Sequence, residues 1–269
     1  MKFVYSFLLS ALISLNAFSQ VPSIVSFTPN NGYVGTQVEL TGSGFSSDIS
    51  KNVVWIGGVK CPVISANPSS LVIEIPLHAS RDCFLYTNTE TNQSCYSKEK
   101  FIVRFNSSKG YNYTSGSFGE AVNFTLGAIG SPFNAKKFNL SDIDEDGKLD
   151  IVAFNDYSTV TFFLNNATPG TINSSTFVSS SQTVLTTDQY FRHTVISDWD
   201  SDGKLDYMAG LPGYAGSSLY KNTSTVGSPS LVHSYNTPTS YTFMPAPFDA
   251  NRDGKIDIIC LYDVQDRVY

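Results

Sequence analysis

Three short acidic loops constrain this chain more than any other feature of its sequence. Asp142-Ile143-Asp144-Glu145-Asp146-Gly147-Lys148-Leu149-Asp150 is followed by Asp198-Trp199-Asp200-Ser201-Asp202-Gly203-Lys204-Leu205-Asp206, then by Asp249-Ala250-Asn251-Arg252-Asp253-Gly254-Lys255-Ile256-Asp257. Their starts lie 56 and 51 residues apart, and self-similarity at such a period marks a propeller or another stacked-repeat architecture. Apolar runs flank each loop. In the first unit Lys137–Leu140, Ile151–Phe154, Val160–Leu164 and Thr176–Val178 read as four strands; in the second, Thr194–Ile196, Tyr207–Ala209, Ser218–Tyr220 and Leu231–His233 repeat them.

The spacing within each loop suits a hard cation. Ca2+ takes six to eight oxygens at about 2.3–2.6 Å, and alternate residues of a tightly coiled loop can converge on one point. The first, third and fifth positions are Asp142, Asp144 and Asp146; Asp198, Asp200 and Asp202; Asp249, Asn251 and Asp253. Lys148, Lys204 and Lys255 can add a backbone carbonyl, and Asp150, Asp206 and Asp257 can close the shell. Glycine at the sixth position permits a turn that a Cβ would hinder. An EF-hand requires a bidentate Glu at position 12 and flanking helices. Position 12 here is Ala153, Ala209 or Cys260, within strand-like sequence. Asp-Gly pairs alone would mark hairpin turns, but these loops hold 12 of the chain's 23 acidic residues within 27 positions. Carboxylates crowded in a tight site repel one another unless a cation neutralises them. The expectation is up to three Ca2+ ions, Mg2+ being less suited because it demands tighter octahedral geometry. The third loop should bind most weakly, with Asn251 replacing a carboxylate and Arg252 adding positive charge.

The D-x-[DN]-x-D-G-x-x-D stretches resemble the FG-GAP/VCBS repeats of integrin alpha-like β-propellers, over roughly residues 120–269. That resemblance implies that each loop links two strands of a blade and binds one Ca2+ at the propeller's edge. A propeller closes with four to eight blades, whereas about two and a half are encoded here. The expectation is a truncated sequence, or a ring completed by other copies or partners.

Upstream the texture changes. Lys2, the apolar run Phe3–Leu15 and Ala17-Phe18-Ser19 read as a signal peptide over residues 1–19, with Gln20 starting the mature chain. From Val21 to about Phe105, strands such as Val38–Thr41, Val53–Ile56, Leu71–Ile75 and Phe101–Phe105 alternate with Gly/Pro/Asn turns. About seven such strands in some 85 residues read as an Ig-like sandwich. Pro29, Gly32, Gly35, Val38, Leu40, Gly42, Gly44, Phe45, the Gly57-Gly58 pair and Ile75-Pro76 resemble the IPT/TIG family. The resemblance implies an extracellular spacer or interaction module over residues 20–105, without catalytic residues. The polar, glycine-rich stretch 106–119 reads as a linker. If the sequence between Cys83 and Cys95 turns near Thr89, the two cysteines face each other within disulfide reach; Cys61 and Cys260 have no evident partner.

The fold expected is therefore all-β, an Ig-like β-sandwich followed by a partial propeller. A net charge of −6 argues against a nucleic-acid partner, and no segment after the signal peptide is long and apolar enough to span a bilayer. His78, His193 and His233 lack metal-ligand spacing, and no G-x-S-x-G elbow, P-loop or His-Glu-x-x-His motif occurs. Sequons such as Asn112 and Asn166 matter only in a glycosylating host. These features point to a secreted or cell-surface, calcium-binding adhesion or recognition protein for an extracellular protein or glycan, without catalysis. The alternative is the accessory binding region of a larger secreted carbohydrate-active enzyme.

Overall fold

The computed structural model describes residues 20–104, 121–123, 135–155, 159–168, 172–183, 193–210, 217–237, 242–262 and 267–268. The expected signal peptide and linker, Phe105 and Asn112 lie outside the described residues.

The N-terminal unit is a two-sheet sandwich. Its strands are β1 (Ser23–Thr28), β2 (Asn31–Gly32), β3 (Gln37–Ser43), β4 (Asn52–Ile56), β5 (Val59–Cys61), β6 (Val63–Asn67), β7 (Ser70–Glu74), β8 (Asp82–Asn88) and β9 (Gln93–Val103). One sheet runs β1-β3-β7-β6 and the other β2-β9-β8-β4-β5. Alternation explains the core: Val38 and Leu40 of β3, Leu71 and Ile73 of β7, and Phe84 and Tyr86 of β8 all turn inward. Two more strands form than the seven expected. One of them, β2, is a two-residue parallel pairing with β9, on the Asn31-Gly32 pair that reads as a turn.

Gly42 shows why the G-x-G-F element is needed. A Cβ at Gly42 would lie 1.8 Å from the carbonyl oxygen of Ser23 on the neighbouring strand. Backbone cannot yield as a flexible side chain can. Gly42→Ala should therefore destabilise the sandwich by about 1–3 kcal/mol or more, read as a lower denaturant midpoint with unchanged slope.

The expected Cys83–Cys95 bridge does not form. The β8–β9 hairpin pairs Asn88 with Gln93 and Tyr86 with Cys95, while beyond an irregularity Cys83 faces Lys100. The turn is centred after Thr89, so each cysteine meets a different partner. Cys61, Cys83 and Cys95 are free thiols, and burial pushes the Cys95 thiol up to about 12; the Cys260 side chain lies outside the described residues.

The repeats follow as β10 (Ala135–Ser141), β11 (Asp150–Asn155), β12 (Thr159–Asn165), β13 (Phe177–Thr183), β14 (His193–Ser197), β15 (Asp206–Gly210), β16 (Ser217–Asn222), β17 (Leu231–Asn236), β18 (Thr242–Phe248), β19 (Asp257–Tyr262) and β20 (Arg267–Val268). They form antiparallel meanders β10-β11-β12-β13, β14-β15-β16-β17 and β18-β19-β20. The first strands of the three sheets adjoin, β10 beside β14 and β14 beside β18, the arrangement of successive blades. A shared core of Val152, Phe154, Phe162, Tyr207 and Tyr220 binds the first two blades together. The set is open, consistent with a partial propeller. Among the described residues no helix is long and apolar enough to cross a membrane.

Candidate metal centre

Each acidic loop joins the first and second strands of its blade, and the three share one hydrogen-bond pattern. At the first position, Oδ2 of Asp142, Asp198 and Asp249 accepts the N–H of Gly147, Gly203 and Gly254, each at 3.0 Å. At the fifth, Oδ1 of Asp146, Asp202 and Asp253 accepts the N–H of Lys148, Lys204 and Lys255 at 2.8, 2.9 and 2.9 Å. At the ninth, Oδ2 of Asp150, Asp206 and Asp257 accepts the second-position N–H of Ile143, Trp199 and Ala250 at 3.1, 3.1 and 2.8 Å. Oδ1 of Asp150 and Asp206 also accepts an N–H from the third strand of the blade, from Asn165 and Asn222, both at 2.8 Å. In the first two loops the ninth residue thus ties its loop into the sheet, and in the second it also lies among the converging carboxylates.

Two positions were not visible in the motif. The fourth residue adopts left-handed backbone in every loop, with φ of 61° at Glu145, 56° at Ser201 and 63° at Arg252, alongside the glycines Gly147, Gly203 and Gly254. A non-glycine residue there is strained. Arg252→Gly should therefore stabilise the third blade by about 0.5–1 kcal/mol while removing a positive charge, which thermal melts at matched calcium would register. The second position is an apolar anchor in the first loop, where Ile143 is buried in the core between blades. Alternation of acidic residues hides that role.

The carboxylates converge unequally. One oxygen each from Asp142, Asp144 and Asp146 lie within 4.8 Å of one another, as do oxygens from Asp198, Asp200 and Asp206. The third loop gives no such group among the described residues; Asn251 Nδ2 instead donates to Asp253 Oδ2 at 3.2 Å. Asp202 lies outside the second group; the Lys221 ammonium pairs with it at 3.0 Å and also with Asp200, which is inside the group. Those two carboxylates hold Lys221 protonated. Lys148 Nζ likewise lies 3.0 Å from Asp146 Oδ2, Lys204 Nζ donates to the Ser224 carbonyl at 2.6 Å, and Lys255 is exposed.

Burial makes the uncompensated negative charge costly. Asp142 is only 2% exposed, and Asp144, Asp150, Asp198 and Asp206 are buried with it. Desolvation, reinforced by neighbouring carboxylates, raises Asp142 to about 6, Asp150 and Asp198 to about 7 and Asp206 to about 8. Asp142 Oδ1 is buried with no hydrogen-bond partner, although buried polar atoms are nearly always satisfied. An orphaned oxygen among two further carboxylates, all hard donors, fits a bound metal ion. The clusters of buried aspartates in the first two loops could hold one.

A family model described as the IPT/TIG domain matches residues 22–103, and one described as an FG-GAP-like repeat matches residues 142–209 and 198–260. The chain is similar to Fibrocystin-L from Homo sapiens, 29% identical over 132 residues that make up 49% of this chain and 3% of that protein. Among solved structures it is similar to an auxiliary nutrient binding protein from Bacteroides ovatus, at 16% identity and a TM-score of 0.32, covering 93% of this chain and 58% of that one. A second auxiliary nutrient binding protein, from Bacteroides thetaiotaomicron, matches at 15% identity and a TM-score of 0.31 with the same coverage. The chain thus spans a small fraction of the curated relative and somewhat over half of these solved chains. This protein joins an IPT/TIG domain, over residues 22–103, to FG-GAP-like repeats over residues 142–260.

Proposed function

We propose that this is a secreted or cell-surface recognition protein, calcium-stabilised and non-catalytic, that binds an extracellular protein or glycan. Residues 1–19 serve as a signal peptide, 20–105 as the Ig-like domain, 106–119 as a linker and 120–269 as the repeats. The observation that carries the calcium reading is the buried, partnerless Oδ1 of Asp142 beside Asp144 and Asp146. Asp142, Asp144, Asp146 and Asp150 would hold the first ion with the Lys148 carbonyl, and Asp198, Asp200, Asp202, Asp206 and the Lys204 carbonyl the second. Asp249, Asn251, Asp253, Asp257 and the Lys255 carbonyl would hold a third, weaker one. Bound calcium supplies positive charge and nothing else. The loops coil around it, their repulsion is relieved, and the strands they join keep register. Recognition then falls to the exposed surface of a shaped scaffold, in keeping with the binding and repeat character of both domain types.

Calorimetric titration of the chelated full chain with CaCl2 should show saturable binding that Asp142→Asn with Asp144→Asn removes from the first site. MgCl2 should bind more weakly. A titration with no heat, and no calcium retained on purification, refutes the reading. Glycan-array binding without turnover would support recognition, and hydrolysis of an arrayed glycan would refute the non-catalytic assignment.

A further inference from the structure

All three acidic loops meet one face of one sheet of the Ig-like domain. In β4, Val54 and Ile56 enter the sandwich core, whereas Val53 and Trp55 join Leu85 of β8 in a separate buried cluster with Leu205 of the second loop. Tyr96, Ile196 and Ile256 pack against it. The sheet is thus buried on both sides, which is why every residue of β4 is buried.

Polar contacts reach each loop in turn. In the first, Asp142 N–H donates to the Gly58 carbonyl at 2.9 Å, and Lys60 pairs with Glu145 at 2.8 Å. Gly58 lies so close that a Cβ there would fall 2.7 Å from the Leu140 carbonyl oxygen. In the second, Thr87 Oγ1 donates to Asp198 Oδ2 at 2.5 Å, and the hydroxyls of Ser94 and Ser201 share a hydrogen bond of 2.8 Å. In the third, Ser94 N–H donates to the Gly254 carbonyl at 2.8 Å. A crevice of about 350 Å3 runs between the units, lined on one side by Asn52, Val53 and Lys60 and on the other by Asp142, Glu145 and Gly147.

We infer that the loop face of the repeats is a docking platform for the chain's own Ig-like domain, and that cations in the loops hold the two units together. This rests on the calcium reading above. The coupling is electrostatic in origin: an apolar sheet laid over ionised, uncompensated carboxylates strips them of water, a cost that grows steeply as charge is buried. A cation in the loop cancels that charge before the sheet closes on it. By linkage, docking strengthens calcium binding by the factor by which calcium strengthens docking, so a variant that abolishes docking loses up to that factor in calcium affinity. Thr87 makes the connection direct, since its acceptor is itself a first-position carboxylate.

The chain carries its own reporters, because its two tryptophans are Trp55 in the interdomain cluster and Trp199 in the second loop. In the full chain bearing Trp199→Phe, Trp55 alone reports on docking. Its acrylamide quenching would be measured with and without chelator, beside calorimetric calcium titration and far-UV circular dichroism. Chelation is expected to raise quenching several-fold with the strand signal kept, and calcium to reverse it. Leu85→Glu in the same background, on the face turned away from the sandwich core, should leave Trp55 quenchable in calcium and weaken calcium affinity roughly tenfold. Calcium binding with Trp55 quenching indifferent to chelator, or Leu85→Glu with unchanged affinity, overturns the inference and leaves the calcium reading standing. Absence of calcium binding overturns both. If chelation also erases the strand signal, the calcium affinity of Leu85→Glu decides: tenfold weaker supports coupling, unchanged overturns it.

Discussion

Removing calcium from this chain should lower its melting temperature by roughly 10–20 °C. A ligand at about 100 times its dissociation constant stabilises by about 2.7 kcal/mol per site, so two filled loops contribute about 5 kcal/mol. In a protein of this size each kcal/mol moves the midpoint by about 2–4 °C. The size of the drop should depend on pH, with a fixed sign. Asp142, Asp150, Asp198 and Asp206 ionise in the metal-free fold only at about 6, 7, 7 and 8, against 3.8 in the unfolded chain. A carboxylate raised in this way favours the fold most below its unfolded pKa and loses that contribution as pH climbs through its folded pKa. The metal-free protein should therefore weaken progressively between pH 4 and 8. The calcium-bound form needs those groups ionised and gains affinity over the same interval. Circular-dichroism melts at pH 5, 6.5 and 8, with and without CaCl2, should show the gap widening as pH rises. A gap that stays constant or narrows would contradict this account of the loops.

Tyr207→Ala should be nearly as damaging, by about 3–5 kcal/mol, or roughly 6–20 °C. Tyr207 is fully buried, its ring tilted against Phe154 of the first blade at a centroid distance of 5.9 Å. Its hydroxyl meets that of Ser141, also in the first blade. The alanine variant opens a cavity exactly where two blades join and orphans a buried serine. Tyr207→Phe keeps the packing and removes only the hydrogen bond, so its cost should be nearer 1–3 kcal/mol. Chemical denaturation of the pair separates packing from polar pairing; equal losses would show that the ring contributes little.

The blades were legible because their strands alternate or run apolar between well-marked turns, and each of the eight assigned in the first two units forms. The acidic loops were legible for a related reason: a metal-compatible coil demands oxygen donors at alternate positions and glycine at the sixth. What the motif did not reveal depends on the backbone or on distant partners. Left-handed backbone at Glu145, Ser201 and Arg252 carries no compositional mark, since three different residue types occupy the same position. The β8–β9 register depends on a turn between Asn88 and Gln93 and an irregularity near Cys83, neither of which cysteine spacing encodes. Lys221 reaches the second loop from 15 residues beyond its last aspartate. The run Val53-Val54-Trp55-Ile56 reads as a strand, but nothing local says that its second face has a partner.

The first loop is finished by its neighbour. Gly227, in the turn between β16 and β17, donates its N–H to Asp144 Oδ2 at 2.6 Å, and Asn222 Nδ2 donates to the Ile143 carbonyl at 3.0 Å. A single excised repeat would present a pocket lacking part of its wall. The irreducible module of such an array is consequently a tandem, and grafting experiments that transplant one unit at a time would move an incomplete receptacle.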